Sequence, residues 1–252
     1  MARRARRKSR TGIYHVISRG IDRQIIFEDN EDYRRLLDTL KECQEKSGCE
    51  IYAYCLMGNH IHLLLKENKE DLGVMFRRLG ASYVYWYNKK YKRRGYLFQG
   101  RYKSEAVESD GYFLTVLRYI HQNPLKAKMV SDIADYPWSS YREYMEKSRI
   151  CNIEFALNLF SEDREKAIKL FREFNLAENK GQCLEYNQNE RLNDTEAAAF
   201  IRGVAKTQSS TEVQNFTKEE RNKIIKKCRE HGLSIRQIVR LTGVSFGIIR
   251  NI

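Results

Sequence analysis

Two histidines, His60 and His62, stand one residue apart in the apolar run "GNHIHLLLK", residues 58 to 66, of a chain that has five histidines in all. In an extended strand alternate side chains share a face, so both imidazoles point the same way while Ile61 points into a core. Two imidazoles one strand repeat apart can grip one cation. Taken alone, such a pair is more often a hydrogen-bonded structural feature than a cation site. A second group of reactive residue types lies in "LRYIHQNP", residues 117 to 124. Phe113, Leu114, Val116, Leu117 and Ile120 mark the buried stripe of a helix there, and Tyr119 and Asn123, four apart, lie together on its flank. Tyr112 falls on the same line a turn or two earlier. The proline after Asn123 is expected to end or bend the helix. His15 and His121 read as ordinary core or surface residues.

The elements that must position these groups follow from periodicity. A strand is predicted over 12 to 18, then a helix over 30 to 46 carrying Tyr33, Leu36, Leu37, Leu40 and Cys43 at helical spacing and stopped by Ser47-Gly48. Strands over 50 to 57 and 60 to 66, joined at Gly58-Asn59, make an antiparallel hairpin. A helix over 72 to 90 follows, then a strand near 104 to 108, and Ser109-Asp110 cap the helix that carries Tyr119. This order predicts an α+β fold, a ferredoxin-like (RRM-like) split βαβ antiparallel sheet covered by helices on one face. Residues 1 to 147 form this domain and 148 to 205 read as a helical extension without a motif. Residues 206 to 216, "KTQSSTEVQNF", read as a linker. Beyond it Thr217 with Glu220, and Ser234 with Gln237, have capping-box spacing, and "LSIRQIVRLTGVSFGIIRNI" has the pattern of an all-α helix-turn-helix module, so 206 to 252 is expected to bind duplex DNA.

Bulk properties narrow the partners. The chain carries 46 Lys+Arg against 33 Asp+Glu, a formal charge of +13, which favours polyanions and nucleic acid first. No apolar run approaches a membrane span, and "MARRARRKSR" is not followed by the apolar segment of a secretory signal. The six cysteines lack CxxC or finger spacing and read as reduced thiols of a cytoplasmic protein. Between Leu72 and Ser104 there are nine basic residues, nine aromatics and no acid, a composition suited to tracking phosphates and stacking unpaired bases. Lys89, Lys90, Lys92, Arg93, Arg94, Arg101 and Lys103 are the candidate DNA contacts of that stretch. Tyr85, Tyr87, Tyr91, Tyr96, Phe98 and Tyr102 are its candidate platforms. Arg3, Arg4, Arg6, Arg7 and Arg10 suit an arm that folds onto DNA.

Taken in order, "GIYHVISRG", "IF" with "EDYRRLL", "MGNHIHLLL", "LFQGRYKS", "LRYIHQNPLKA" and "YPWSSYREY" resemble the HUH nucleases, and among them the single-tyrosine, REP-associated transposases of bacteria. The resemblance covers roughly residues 12 to 145. It departs at Ile21, where an Asn often follows the Arg-Gly pair, and at Gly58, where Pro is common. It implies His60, His62 and Asn123 as ligands of a divalent metal, Mg²⁺ or Mn²⁺, and Tyr119 as the nucleophile that forms a 5′-phosphotyrosine on single-stranded hairpin DNA. Such an exchange conserves the ester bond and needs no ATP, in keeping with the lack of a Walker A sequence. The resemblance leaves monomer and homodimer both open and places the protein at the nucleoid. Two other classes fit the residues. A ferredoxin-like sheet can be a non-catalytic single-strand binder, and the C-terminal pattern can make the chain a transcription regulator.

Overall fold

The computed structural model describes residues 7–179, 181–185 and 194–252, which form two compact units divided between Leu184 and Glu185. Arg3, Arg4 and Arg6 of the expected N-terminal arm lie outside the described residues.

The first unit is a mixed α/β structure around a four-stranded antiparallel sheet, with helices packed on it. Strands β1 (Ile13–Arg19), β2 (Glu50–Met57), β3 (His60–Lys66) and β4 (Lys103–Ala106) lie in the order β2-β3-β1-β4. Helices α1 (Asn30–Ser47) and α2 (Leu72–Lys90) occur where periodicity predicts them. Asp29 caps α1 in a reciprocal box with Asp32, and Gly48 ends it in the left-handed conformation at φ +65°, the role glycine serves at a helix end. The sheet is not covered on one face only. Residues 13–17, 51–57 and 61–65 are buried without alternation, so apolar layers meet both faces.

Helix α3 (Asp110–Lys126) starts at Ser109, whose side chain accepts from the Tyr112 amide, and buries Phe113, Val116, Leu117 and Ile120. It continues past Pro124 to Lys126 rather than stopping at Asn123. Helices α4 (Tyr141–Met145), α5 (Ile153–Asn158) and α6 (Arg164–Leu176) complete the unit. Ile153, Ala156, Leu157, Ala167 and Phe171 share one core with the sheet, so the segment after 147 is part of the same packing unit. Buried His121 anchors it, with Nδ1 and Nε2 within 3.1 Å of Asn175 Oδ1 and 3.0 Å of Ser140 Oγ and with Tyr141, Tyr144 and Phe171 edge-on to its ring.

The described residues of the second unit form only helices: α7 (Asp194–Ala205), a 3-10 turn over Ser210–Asn215, α8 (Lys218–Glu230), α9 (Ile235–Thr242) and α10 (Phe246–Arg250). Residues 206–216 are not a free linker. Val213 is buried with Ala197, Ile201, Ile225, Cys228, Ile238 and Ile249 in a core of its own. Thr217 and Ser234 cap α8 and α9 with their side chains, but Glu220 accepts from the Thr217 hydroxyl at 2.8 Å rather than closing the expected box. Gln237 does not reach back to close a box; its amide donates to Asp194, which also pairs with Arg240, and so ties α7 to α9.

Candidate functional site

The site is built on β3. His62 lies opposite Ile17 of β1 and Cys55 of β2, and His60 opposite Arg19 and Met57, so the two imidazoles share one face, as alternation requires. Their ring centroids are 5.0 Å apart. The turn before β3 orients His60. Asn59 donates from Nδ2 to the Arg23 carbonyl at 3.2 Å, which leaves its amide oxygen facing His60 Nδ1 at 2.6 Å. An amide oxygen only accepts, so Nδ1 of His60 carries the proton and Nε2 the lone pair. The loop that supplies Arg23 depends on Gly20, where a Cβ would meet the Gln24 carbonyl oxygen at 2.2 Å. Only glycine permits that approach, and the Gly20 amide in turn donates to the Asn59 carbonyl at 2.9 Å.

Burial holds both histidines neutral. It pushes His60 down to about 4, with the Arg19 charge acting in the same direction. It pushes His62 well below the ordinary value, with His60 and His15 adding to the effect. Neutral imidazole is the form that ligates a cation.

Helix α3 lays Tyr119 against this face. The tyrosine is not on an open flank of the helix; it is only 4% exposed, with its ring centroid 5.6 Å from that of His62 and 5.7 Å from that of His15. Asn123, one turn on, is half-buried and donates from Nδ2 to the Tyr119 carbonyl at 2.9 Å, which leaves Oδ1 as its ligand-type atom. Lys126 places its Nζ 4.8 Å from the Tyr119 ring centroid. Tyr112 is placed differently. Its hydroxyl donates to the Glu105 carboxylate at 2.6 Å, and burial together with that anion raises its pKa, so it is a poor nucleophile.

Among the described residues no group of three or more His, Cys, Asp or Glu side chains is placed to hold a metal ion. A cation on His60 and His62 therefore needs a further ligand of another type, and the Asn123 amide oxygen is of the type that a hard divalent ion accepts. The donor set fits such an ion, since Nδ1 of each histidine is engaged by a neighbour and Nε2 is left for a ligand.

The basic stretch divides in two. Lys90 binds Asp29 at 2.8 Å, Glu31 at 2.8 Å and the buried Asp32 at 2.9 Å, and so joins the end of α2 to the start of α1. Arg93 donates to Gln24 Oε1 at 3.0 Å and lies over the Tyr87 ring. Both therefore make contacts within the fold. Lys89, Lys92, Arg94, Arg101 and Lys103 are exposed, as is Arg7; Arg10 pairs with Glu108. Of the aromatic platforms, Tyr85 and Tyr96 stand out at 72% and 84% exposure. Tyr87 is buried, Phe98 and Tyr102 are packed on the core, and Tyr91 hydrogen-bonds Asp32. Sequence reasoning missed His15, Arg19 and Lys126, which the fold brings to the site. The HxH pair points to no residue on another strand, so periodicity held no signal for them.

Residues 8–123, which contain the sheet, both histidines and Tyr119, match the model of the family described as "Transposase IS200 like". A Haemophilus influenzae protein named "Putative REP-associated tyrosine transposase" is 29% identical over 38% of this chain and 64% of its own length. The chain thus spans less than two thirds of that curated relative. A solved structure described as a REP-associated tyrosine transposase bound to a REP hairpin superposes with a TM-score of 0.52 at 17% identity, over 58% of this chain and 87% of that one, and shows a shared fold.

Proposed function

We propose that this chain is a single-stranded DNA transposase or endonuclease of the HUH, single-tyrosine type, which cleaves and rejoins hairpin DNA through Tyr119. The observation that carries the reading is the placement of a buried tyrosine ring against His62, beside His60, within the segment that matches the family. The relative and the fold neighbour whose descriptions name REP-associated tyrosine transposases support hairpin DNA as substrate. The strand order β2-β3-β1-β4 fits a ferredoxin-like sheet.

In the reaction the Tyr119 oxygen attacks a backbone phosphorus and the bond to the 3′ oxygen breaks. The phenolic proton is lost and the leaving 3′ oxygen takes one up, so a 5′-phosphotyrosine and a free 3′-hydroxyl result. Rejoining is the same exchange in reverse and needs no external energy. His60, His62 and Asn123 would hold a divalent ion, Mg²⁺ or Mn²⁺, which when bound polarises a non-bridging phosphate oxygen. The low-dielectric setting of Tyr119 strengthens every interaction made with the phosphate. Lys89, Lys92, Arg94, Arg101 and Lys103 track the flanking phosphates, and Tyr85 and Tyr96 offer faces to unpaired bases.

The second unit is read as a helix-turn-helix, with α9, the left-handed Gly243 at φ +75° and α10 as its elements and duplex DNA as its partner. Among the described residues no helix is long and apolar enough to cross a membrane. The test is a denaturing gel of the protein with labelled single-stranded hairpin DNA and Mn²⁺. A covalent protein-DNA band is expected and should disappear with EDTA. Retarded complexes on a native gel with no covalent band under any metal would reject the enzyme reading in favour of a binding protein.

A further inference from the structure

His15 lies in β1 and is fully buried, diagonal to His62 on the same face of the sheet, since its direct cross-strand partner is Leu64 and that of His62 is Ile17. Its Nε2 is 3.2 Å from Nδ1 of His62, and the two rings are stacked with centroids 5.5 Å apart. Its other nitrogen, Nδ1, is buried without a hydrogen-bond partner. As a core residue this is a poor choice. Leu or Phe at the same strand position would fill the space beside Ile17 and Leu64 and bring no orphaned polar atom of its own, a fault that costs about 1–3 kcal/mol in a protein interior. What histidine supplies there, and an apolar residue would not, is one hydrogen-bond partner for the back of the His62 ring.

That partner decides which face of His62 is reactive. Between two neutral imidazoles one nitrogen donates and the other accepts. If His62 donates from Nδ1, its Nε2 carries a lone pair and can ligate a cation. If His15 donates instead, His62 carries its proton on Nε2 and cannot. We propose that His15 is a positioning residue of the cation site: it accepts the Nδ1 proton of His62, which fixes the ring and presents its Nε2 lone pair. Asn59 does the same for His60 from the turn. Each strand histidine thus has its own orienting partner, an arrangement that metal sites use to set ligand tautomer. This inference rests on the proposed cation site at His60 and His62.

The test uses the full chain and Mn²⁺ alone, without DNA. In the metal-free protein, long-range ¹H–¹⁵N NMR should find His62 protonated on Nδ1 and His15 also on Nδ1. In Mn²⁺ titrations His15→Phe should bind about 10–100-fold more weakly than wild type, the range seen when such outer partners are lost. His15→Gln, whose amide oxygen can accept the same proton, should recover most of the affinity. A merely structural role predicts the opposite ranking, because phenylalanine removes the orphaned nitrogen and glutamine keeps a polar group buried. If His15→Phe binds Mn²⁺ as tightly as wild type while His62→Ala has lost it, the positioning role is overturned and the site stands. If wild type binds no Mn²⁺, the site reading falls and takes this inference with it. The tautomer measurement on wild type remains decisive if His15→Phe does not fold, since a proton on Nε2 of His62 contradicts the proposal directly.

Discussion

Replacing Lys90 by Met should weaken the fold and leave DNA binding almost untouched, although Lys90 sits in the most basic run of the sequence. Its ammonium group lies within 2.9 Å of three carboxylates, of which Asp32 is fully buried. Removing it leaves Asp32 with the Tyr91 hydroxyl at 2.9 Å and the backbone amides of Glu28 and Asp29 at 2.6 and 3.1 Å. The carboxylate thus keeps hydrogen bonds but loses its counter-charge. A charged hydrogen bond contributes about 1.5–3 kcal/mol, and a wholly unpaired buried charge costs about 3–5. The retained donors place Lys90→Met near the lower range, at about 2–3 kcal/mol. For a unit of this size that corresponds to a fall in Tm of about 4–12 °C. Both tryptophans of the chain, Trp86 and Trp138, lie in the first unit, and Lys90 Nζ sits 5.0 Å from the Trp86 ring, so fluorescence-detected urea unfolding reports the relevant transition. Lys89, next in sequence and exposed, is the control and should show the reverse: unchanged stability and weaker hairpin binding. Lys90→Met with wild-type stability and a large loss of DNA affinity would refute the assignment.

Changing the exposed Lys89, Lys92, Arg94 and Arg101 together to Ala should flatten the salt dependence of single-strand binding by about 3 units at most, at roughly 0.7 per neutralised phosphate, and an unchanged slope in filter binding would place the DNA elsewhere. Truncation after Leu184 should keep cleavage of a good hairpin while reducing affinity for target DNA in binding assays, because the two units have separate cores; a folded but inactive fragment would count against this. Burial holds His121 neutral, with its pKa down at about 4, so its contribution to stability is complete above the unfolded value of about 6.5 and is lost as pH falls toward 4. Between pH 6 and 5 the slope of unfolding free energy against pH should therefore shrink by up to about 1.4 kcal/mol per pH unit in His121→Asn relative to wild type, and identical slopes would show that His121 is charged in the fold.

Much of this was legible in the sequence because it was local. Alternation in "HIHLLLK" and helical spacing in 72 to 90 fixed β3 and α2 to the residue, and the shared face of His60 and His62 follows from strand geometry alone. What the sequence could not display are contacts between residues distant in the chain. His15 meets His62 across 47 positions, and Lys90 meets Asp32 across 58. A lysine in an acid-free run reads as a DNA contact until the fold brings α1 beside it. In the sequence Tyr119 reads as a flank residue because it lies beside an apolar stripe, and the histidine face that buries it belongs to another element. The segment 206–216 reads as a linker by composition, yet Val213 places it in a core, one apolar residue outweighing its polar neighbours.

The central claim is that Tyr119 is the nucleophile beside the histidine pair, and the most direct measurement is covalent adduct formation on labelled hairpin DNA with Mn²⁺ by wild type, Tyr119→Phe and Tyr112→Phe, with native binding measured in parallel. Phe at 119 keeps the ring that packs on His15 and His62 and removes only the reacting oxygen, so the protein should fold and bind DNA while the adduct vanishes. Tyr112→Phe should keep the adduct, since the Tyr112 hydroxyl is already spent on Glu105. An adduct that persists in Tyr119→Phe, or that is lost only in Tyr112→Phe, would contradict the assignment.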